Sequence, residues 1–176
     1  MVTISTELIL EIPFLELPMA KKAAAKKPSA PQAPAKAKPS TKNSAGTAGN
    51  PWPLLTPPGS SEFLAYRDPD ATPPALVVQV GKTELRYQLR CIEDLHVMLQ
   101  AHGDWMLLGS TDEQKEAPAE TVEAWGRSEG NPVGGWYGLK KGLRGRFGMY
   151  VPPVLEILGL AEVEHNPRNN RMRAIG

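Results

Sequence analysis

The stretch that decides the fold lies at the end of the chain, where residues 154–175 have the sequence VLEILGLAEVEHNPRNNRMRAI. Its apolar start predicts a short helix that Gly159 ends, because glycine readily adopts the left-handed conformation that follows many helices. Two strands, 161–165 and 171–175, are predicted on either side of the polar turn NPRNN. The chain therefore ends in a helix followed directly by a β-hairpin.

Two further helices are predicted before this hairpin. Pro118 opens the first, which runs to about Arg127, because proline is favoured at the first helical position. The second covers residues 139–150, and its apolar face is formed by Leu139, Leu143, Phe147 and Tyr150. The last third of the chain is thus predicted to be a helical unit with a hairpin attached.

Helices followed by a hairpin over residues 119–175 resemble a winged helix-turn-helix domain. The resemblance implies that helix 152–158 takes the place of the recognition helix and that the hairpin is the wing. Glu156 is the only charge in that helix. We therefore expect phosphate contacts to come from the basic helix 139–149 and from Arg168 at the wing tip.

Acidic and basic side chains oppose each other across the predicted hairpin. Glu162 and Glu164 lie on one strand, and Arg171 and Arg173 lie on the other. Because opposite charges on neighbouring strands attract, we expect these side chains to pair and largely neutralise each other.

The region before these helices has a β pattern. A β-hairpin is predicted from the runs 76–80 and 83–89, which a Gly-Lys turn joins. A helix is predicted over 90–102, with Gly103 at its end. Together the patterns predict a small single α+β domain over residues 59–176, with an N-terminal β-hairpin, three to four helices and a C-terminal hairpin.

A lysine-rich arm precedes the domain. Residues 19–58 consist mainly of alanine, proline, lysine and serine, so they are predicted to be disordered. Within them, residues 19–50 contain seven lysines and no acidic residue. This composition resembles the tails of linker histones and of bacterial histone-like proteins, which implies sequence-independent binding to nucleic acid by counterion release. A solubilising tether is the alternative interpretation.

The first eighteen residues are apolar and acidic and contain no lysine or arginine. They match neither a secretory signal nor a mitochondrial presequence, both of which carry basic residues. Our hypothesis is that translation begins at Met19 and that residues 1–18 are a non-native or disordered extension; a short docking strand is the alternative. No apolar run approaches the roughly 18 residues that span a bilayer. The single cysteine, which allows no intramolecular disulfide, fits a reducing compartment, so a cytoplasmic protein is expected, associated with the nucleoid if the arm binds DNA.

The charge is unevenly distributed, although the whole chain carries only +1. Residues 51–138 carry −7 and residues 139–176 carry +4, an asymmetry that favours a polyanionic partner. Three glycines at 142, 145 and 148 interrupt the basic helix, at about 1 kcal/mol each relative to alanine. They indicate a smooth face that a phosphate approaches, close packing against another helix, or a broken helix. Trp136, just before this helix, is predicted to be a core residue, with base stacking as the alternative.

The sequence favours a protein without catalytic activity. The histidines His96, His102 and His165 lack the spacing of a zinc pair, and the single cysteine, Cys91, is predicted to be a buried inert thiol. The carboxylates between Asp112 and Glu123 are predicted to be a solvated face, with a divalent-cation site as the alternative. Because no phosphate-binding loop, dinucleotide fingerprint or nucleophile elbow is present, no cofactor, metal or small-molecule substrate is predicted.

The leading hypothesis is a nucleic-acid-binding protein that contacts duplex DNA largely independently of its sequence. The alternative is a protein-interaction domain whose acidic middle binds a basic partner. The residues predicted to contact nucleic acid are Lys21, Lys22, Lys26, Lys27, Lys140, Lys141, Arg144, Arg146 and Arg168.

Overall fold

The computed structural model describes residues 45–139 and 146–176. Its first part is an antiparallel sheet whose four strands are neighbours in the order of the sequence. The strands are β1 (Trp52–Leu55), β2 (Glu62–Asp68), β3 (Ala75–Val80) and β4 (Thr83–Gln88). The predicted hairpin is confirmed as β3 and β4, and Gly81 turns between them with a φ of 58°.

The folded region begins before Gly59, the boundary that composition predicts. β1 pairs with β2 along its whole length, and Trp52 is buried in the core. Pro53 lies in the edge strand, where a missing N–H need not interrupt the ladder. Pro53, which looks like part of a disordered arm, is therefore an edge-strand residue, and this is why composition alone places the boundary too late.

The opposite edge of this sheet is covered by the end of the glycine-rich loop, residues 128–138. The Gln88 N–H donates to the Tyr137 carbonyl at 2.9 Å, and the Leu139 N–H donates to the Arg86 carbonyl at 2.8 Å. Leu139 is therefore extended along β4 and does not start a helix.

The second part contains short helices and a three-stranded sheet in which β7 lies between β5 and β6. α1 packs against β7 and α4 packs against β6, so helices and sheets share one hydrophobic core. A small mixed α+β domain is confirmed at this level. The elements are α1 (Cys91–His102), β5 (Met106–Leu107), α2 (Val122–Trp125), α3 (Phe147–Tyr150), α4 (Pro152–Ile157), β6 (Ala161–Val163) and β7 (Arg171–Ala174).

The helix predicted from Pro118 starts later than expected. Thr121 is its cap: the Thr121 hydroxyl accepts from the Ala124 N–H at 3.2 Å and donates to the Pro118 carbonyl at 2.7 Å. Glu120, just before the cap, has a φ of 57°. Because this left-handed residue separates Pro118 from the helix, α2 covers only Val122–Trp125.

Of the helix predicted over 139–150, the described residues show only the end, as α3. Arg146 precedes α3 in a left-handed conformation, with a φ of 62°, and residues 140–145 lie outside the described part of the chain. The next helix, α4, ends as predicted at Gly159, which has a φ of 73°. The Leu160 N–H donates to the Leu155 carbonyl at 2.9 Å, a closure that leads the chain directly into β6.

Candidate nucleic-acid interface

The tip of the β6–β7 hairpin is closed by one side chain. The Asn170 carboxamide accepts a hydrogen bond from the Asn166 N–H at 2.6 Å and donates one to the Asn166 carbonyl at 2.8 Å. Asn170 is buried, and Asn169 before it has a φ of 55°. The Leu108 N–H donates to the Asn170 carbonyl at 2.9 Å, which connects the tip to the chain after β5.

Arg168 is the exposed cation of this tip. Across residues 45–139 and 146–176, no carboxylate pairs with it. The other hairpin arginines are paired, Arg171 with Glu164 at 2.6 Å and Arg173 with Glu162 at 2.7 Å. The predicted cross-strand pairing is confirmed, and the hydrogen bond from Arg171 holds the pKa of Glu164 below its ordinary value.

The paired arginines also cover an aromatic ring. The guanidinium carbons of Arg171 and Arg173 lie 5.4 Å and 4.7 Å from the centroid of the Trp105 ring. Contacts of this kind are cation–π interactions. The hairpin therefore uses these two arginines for internal contacts as well as for ion pairs.

His165 connects the hairpin to two other parts of the domain. Its Nε2 lies 3.0 Å from both carboxylate oxygens of Glu156 in α4, and its Nδ1 lies 3.1 Å from the Pro57 carbonyl. His165 thus links the tip of the hairpin to α4 and to the segment after β1.

Arg146, a predicted contact residue, lies at the start of α3 in an ion pair. The Arg146 guanidinium lies 2.6 Å from the Asp112 carboxylate. The main-chain N–H of Arg146 donates to the Thr111 carbonyl at 3.1 Å. The hydrogen bond to Asp112 raises the pKa of Arg146. About half of each side chain in the pair is exposed, so a phosphate that contacts Arg146 has to compete with Asp112.

A buried ion pair joins α2 to α3. The Glu123 carboxylate accepts from Nη2 of Arg127 at 2.6 Å and from the Gly148 N–H at 2.7 Å. Arg127 also donates to the carbonyls of Thr111 at 2.7 Å and Lys115 at 2.8 Å. Sequence analysis missed this pair, although the i, i+4 spacing of its two charges is a signal for one.

Gly148 is required for close packing. A Cβ at this position would overlap the Leu108 carbonyl oxygen and would lie 3.4 Å from Oε2 of Glu123. The interpretation of a smooth glycine face open to phosphate is therefore wrong at Gly148. Gly142 and Gly145 lie outside the described residues.

Tyr137, and not Trp136, is the core aromatic of the glycine-rich loop. Tyr137 is fully buried, its hydroxyl donates to Asp94 at 2.8 Å, and its ring stacks on Phe147 at 5.3 Å. Trp136 is only partly buried and lies against the Arg127 guanidinium at 4.4 Å. The prediction for Trp136 is wrong because neighbouring residues of an extended segment point to opposite sides, and the pairing of Tyr137 with β4 turns Tyr137 inward.

Seven of the nine predicted contact residues lie outside the described part of the chain. The two described ones, Arg146 and Arg168, belong to separate features, the start of α3 and the hairpin tip. The seven are Lys21, Lys22, Lys26, Lys27, Lys140, Lys141 and Arg144.

The described surface has little free positive charge. Residues 45–139 and 146–176 contain ten lysines and arginines and sixteen carboxylates. Six of the eight arginines in these ranges pair with a carboxylate. In a seventh, Arg67, the guanidinium carbon lies 5.1 Å from the centroid of the Trp52 ring. The paired residues are Arg86, Arg90, Arg127, Arg146, Arg171 and Arg173.

Cys91 is fully buried, as predicted, and burial raises the pKa of its thiol. No group of three or more metal-ligating side chains is found within residues 45–139 and 146–176. No helix in these ranges has the length and apolar character needed to cross a bilayer.

A family model matches residues 44–175, most of the chain, and its description is a family of unknown function, DUF6855. The chain belongs to this family. The DUF6855 match includes β1, in agreement with a folded region that begins before Gly59. No curated protein and no solved structure matches the chain significantly.

Proposed function

We propose that this DUF6855 protein binds nucleic acid, with duplex DNA as the target, mainly through its lysine-rich arm and largely independently of base sequence. The supporting observation is a contrast in charge. Residues 19–50 contain seven lysines and no acidic residue, whereas six of the eight described arginines are paired with carboxylates. Free positive charge is what neutralises phosphates and releases counterions.

The folded domain orients the protein on the duplex. From α1 to β7, a helix, a short strand, further helices and a hairpin follow one another. Strand β7 of the hairpin pairs with its hairpin partner β6 on one side and with the short strand β5 on the other. This order supports the comparison with winged helix domains. In α4, residues Pro152–Leu155 are buried and Glu156 is bound to His165, which argues against base reading by this helix.

Phosphate contacts by the folded domain come from Arg168 at the wing tip, together with Lys140, Lys141, Arg144 and Arg146. Contacts of this type set position and orientation and do not select a sequence. The affinity therefore depends on the arm, and the domain determines how the duplex lies against the protein.

The test is a titration of the full chain with a short fluorescent duplex at several salt concentrations. If all seven lysines of the arm contact phosphates, log K falls with log salt at a slope of about −6. The K21Q/K22Q/K26Q/K27Q variant should lose about 3.6 of that slope, since each phosphate contact contributes about 0.9. The matched control, K82Q/K115Q, removes two lysines of the folded domain and should keep the slope.

Two results would rule the proposal out. One is the absence of binding by the wild-type chain at about 50 mM salt, where phosphate contacts are strong. The other is an unchanged slope in the quadruple variant.

The acidic surface of the folded domain supports a second candidate, a docking site for a basic protein. The described residues carry ten cationic and sixteen anionic side chains. A poly-lysine peptide is the probe for this function. Binding that weakens in an E113Q/E116Q/E120Q variant and is unaffected by the substitutions in the arm would favour this second candidate.

A further inference from the structure

We infer that Asn170 is the positioning residue of the wing: it holds Arg168 where the guanidinium meets a single phosphate of the bound duplex. This inference rests on the proposed function and names a residue that contacts no nucleic acid itself.

The clamp inside the turn supports this role. The Asn170 carboxamide uses both its acceptor and a donor on Asn166, at 2.6 Å and 2.8 Å, and so closes the turn around Arg168. Asn170 is only 6% exposed, so water competes poorly for these hydrogen bonds. The backbone that carries Arg168 is therefore held in one conformation before any ligand arrives.

The tip is also attached to the rest of the domain. The Leu108 N–H donates to the Asn170 carbonyl at 2.9 Å, and His165 contacts Glu156 at 3.0 Å and the Pro57 carbonyl at 3.1 Å. A contact made from a preorganised loop loses less conformational entropy on binding than one made from a mobile loop. Arg168 consequently gains affinity from a turn that it does not itself stabilise.

The charge of the hairpin indicates one phosphate. Glu164 and Glu162 pair with Arg171 and Arg173, so these arginines add little net charge. Among the arginines of the β6–β7 hairpin, Arg168 alone has no carboxylate partner within the described residues. One released counterion is the expected contribution of the wing.

A double-mutant cycle with the full chain and a short fluorescent duplex tests the inference. R168A should reduce the salt slope by about 0.9 and weaken binding about eightfold at about 0.1 M salt, the effect of one released counterion. N170A should cause most of that loss in the wild-type background and no further loss in the R168A background. Such non-additivity marks two residues that act as one unit.

Two further variants make the test specific. N166A removes an exposed carboxamide from the same turn but keeps the main-chain groups that Asn170 binds, so binding should be unchanged. N170S introduces no charge and keeps one hydrogen-bonding group, so it should show an intermediate loss of duplex affinity. It replaces N170A in the cycle if thermal unfolding shows that N170A does not fold.

The outcomes separate the two proposals. Equal losses from N170A or N170S in the wild-type and R168A backgrounds, or no loss in either, would overturn the positioning role of Asn170. An absence of duplex binding by the wild-type chain would overturn the proposed function itself.

Discussion

The carboxylate of Glu123 lies 2.6 Å from Nη2 of Arg127, with 0% and 9% of the two side chains exposed. Burial raises the pKa of Glu123, and the hydrogen bonds from the Gly148 N–H and from Arg127 oppose that rise. The pair holds α2, α3 and the backbone of residues 111–115 together. Removing one partner of such a pair is costly because the other charge is left buried and unpaired.

R127A is therefore expected to lower the free energy of unfolding by about 3–5 kcal/mol. R173A is the matched control, because it breaks an exposed pair with Glu162 and a cation–π contact with Trp105, which together should cost about 1–2 kcal/mol. Urea unfolding of both variants measures the difference. Equal losses would contradict the view that the buried pair is a central support of the domain.

G148A distinguishes packing from helix propensity. Alanine is favoured over glycine in a helix by about 1 kcal/mol, but a Cβ here would overlap the Leu108 carbonyl. We expect packing to dominate and the variant to lose about 1–3 kcal/mol. In G49A the added Cβ meets no atom within 4 Å, so this control should stay close to wild type; a stabilised G148A would show that α3 can move away from Leu108.

Stability should fall under alkaline conditions. Burial, with a further contribution from Asp94, raises the pKa of Tyr137 above its ordinary value of 10.0, and burial does the same for Tyr87. Above that ordinary value the unfolded chain releases protons that the folded chain retains, so stability decreases as pH rises.

Each such tyrosine contributes a decrease of about 1.4 kcal/mol per pH unit. Y137F removes one contribution, so its free energy of unfolding should decline less steeply between about pH 10 and 11. Urea unfolding at both pH values checks this expectation, and parallel declines in the two proteins would refute it.

Cys91 should be unreactive in the native protein. Its side chain is fully buried, and burial raises the pKa of the thiol, so little thiolate is available to attack a reagent. Ellman's reagent should give no rapid signal with native protein and one equivalent in concentrated urea, since the chain has a single cysteine. Rapid reaction under native conditions would mean that α1 opens readily at its start.

Local signals predicted much of the fold correctly. The positive φ values of Gly81, Gly103 and Gly159 lie where the sequence places turns and helix ends. The terminal hairpin and its charge pairs were also predicted, because alternating apolar residues and opposed charges are properties of neighbouring strands.

Long-range contacts explain the features that were missed. The ordered state of β1 depends on pairing with β2, and the inward position of Tyr137 depends on β4. The role of Gly148 depends on Leu108, forty residues earlier. At the candidate interface, the sequence predicts Arg168 as a contact residue but could not show that Asn170 closes the turn around it, because that closure is a matter of side-chain geometry.

The borders of the four-stranded sheet limit how copies of this protein can associate through main-chain hydrogen bonds when they are crowded together. Pro53 offers no outward N–H from β1, the Thr56 N–H turns inward to the Ser61 carbonyl, and residues 137–139 cover β4. A free strand therefore finds few donors to extend either border, and strand addition is the usual route from crowding to fibrils. Concentrated solutions of this protein should therefore resist aggregation by strand addition at this sheet.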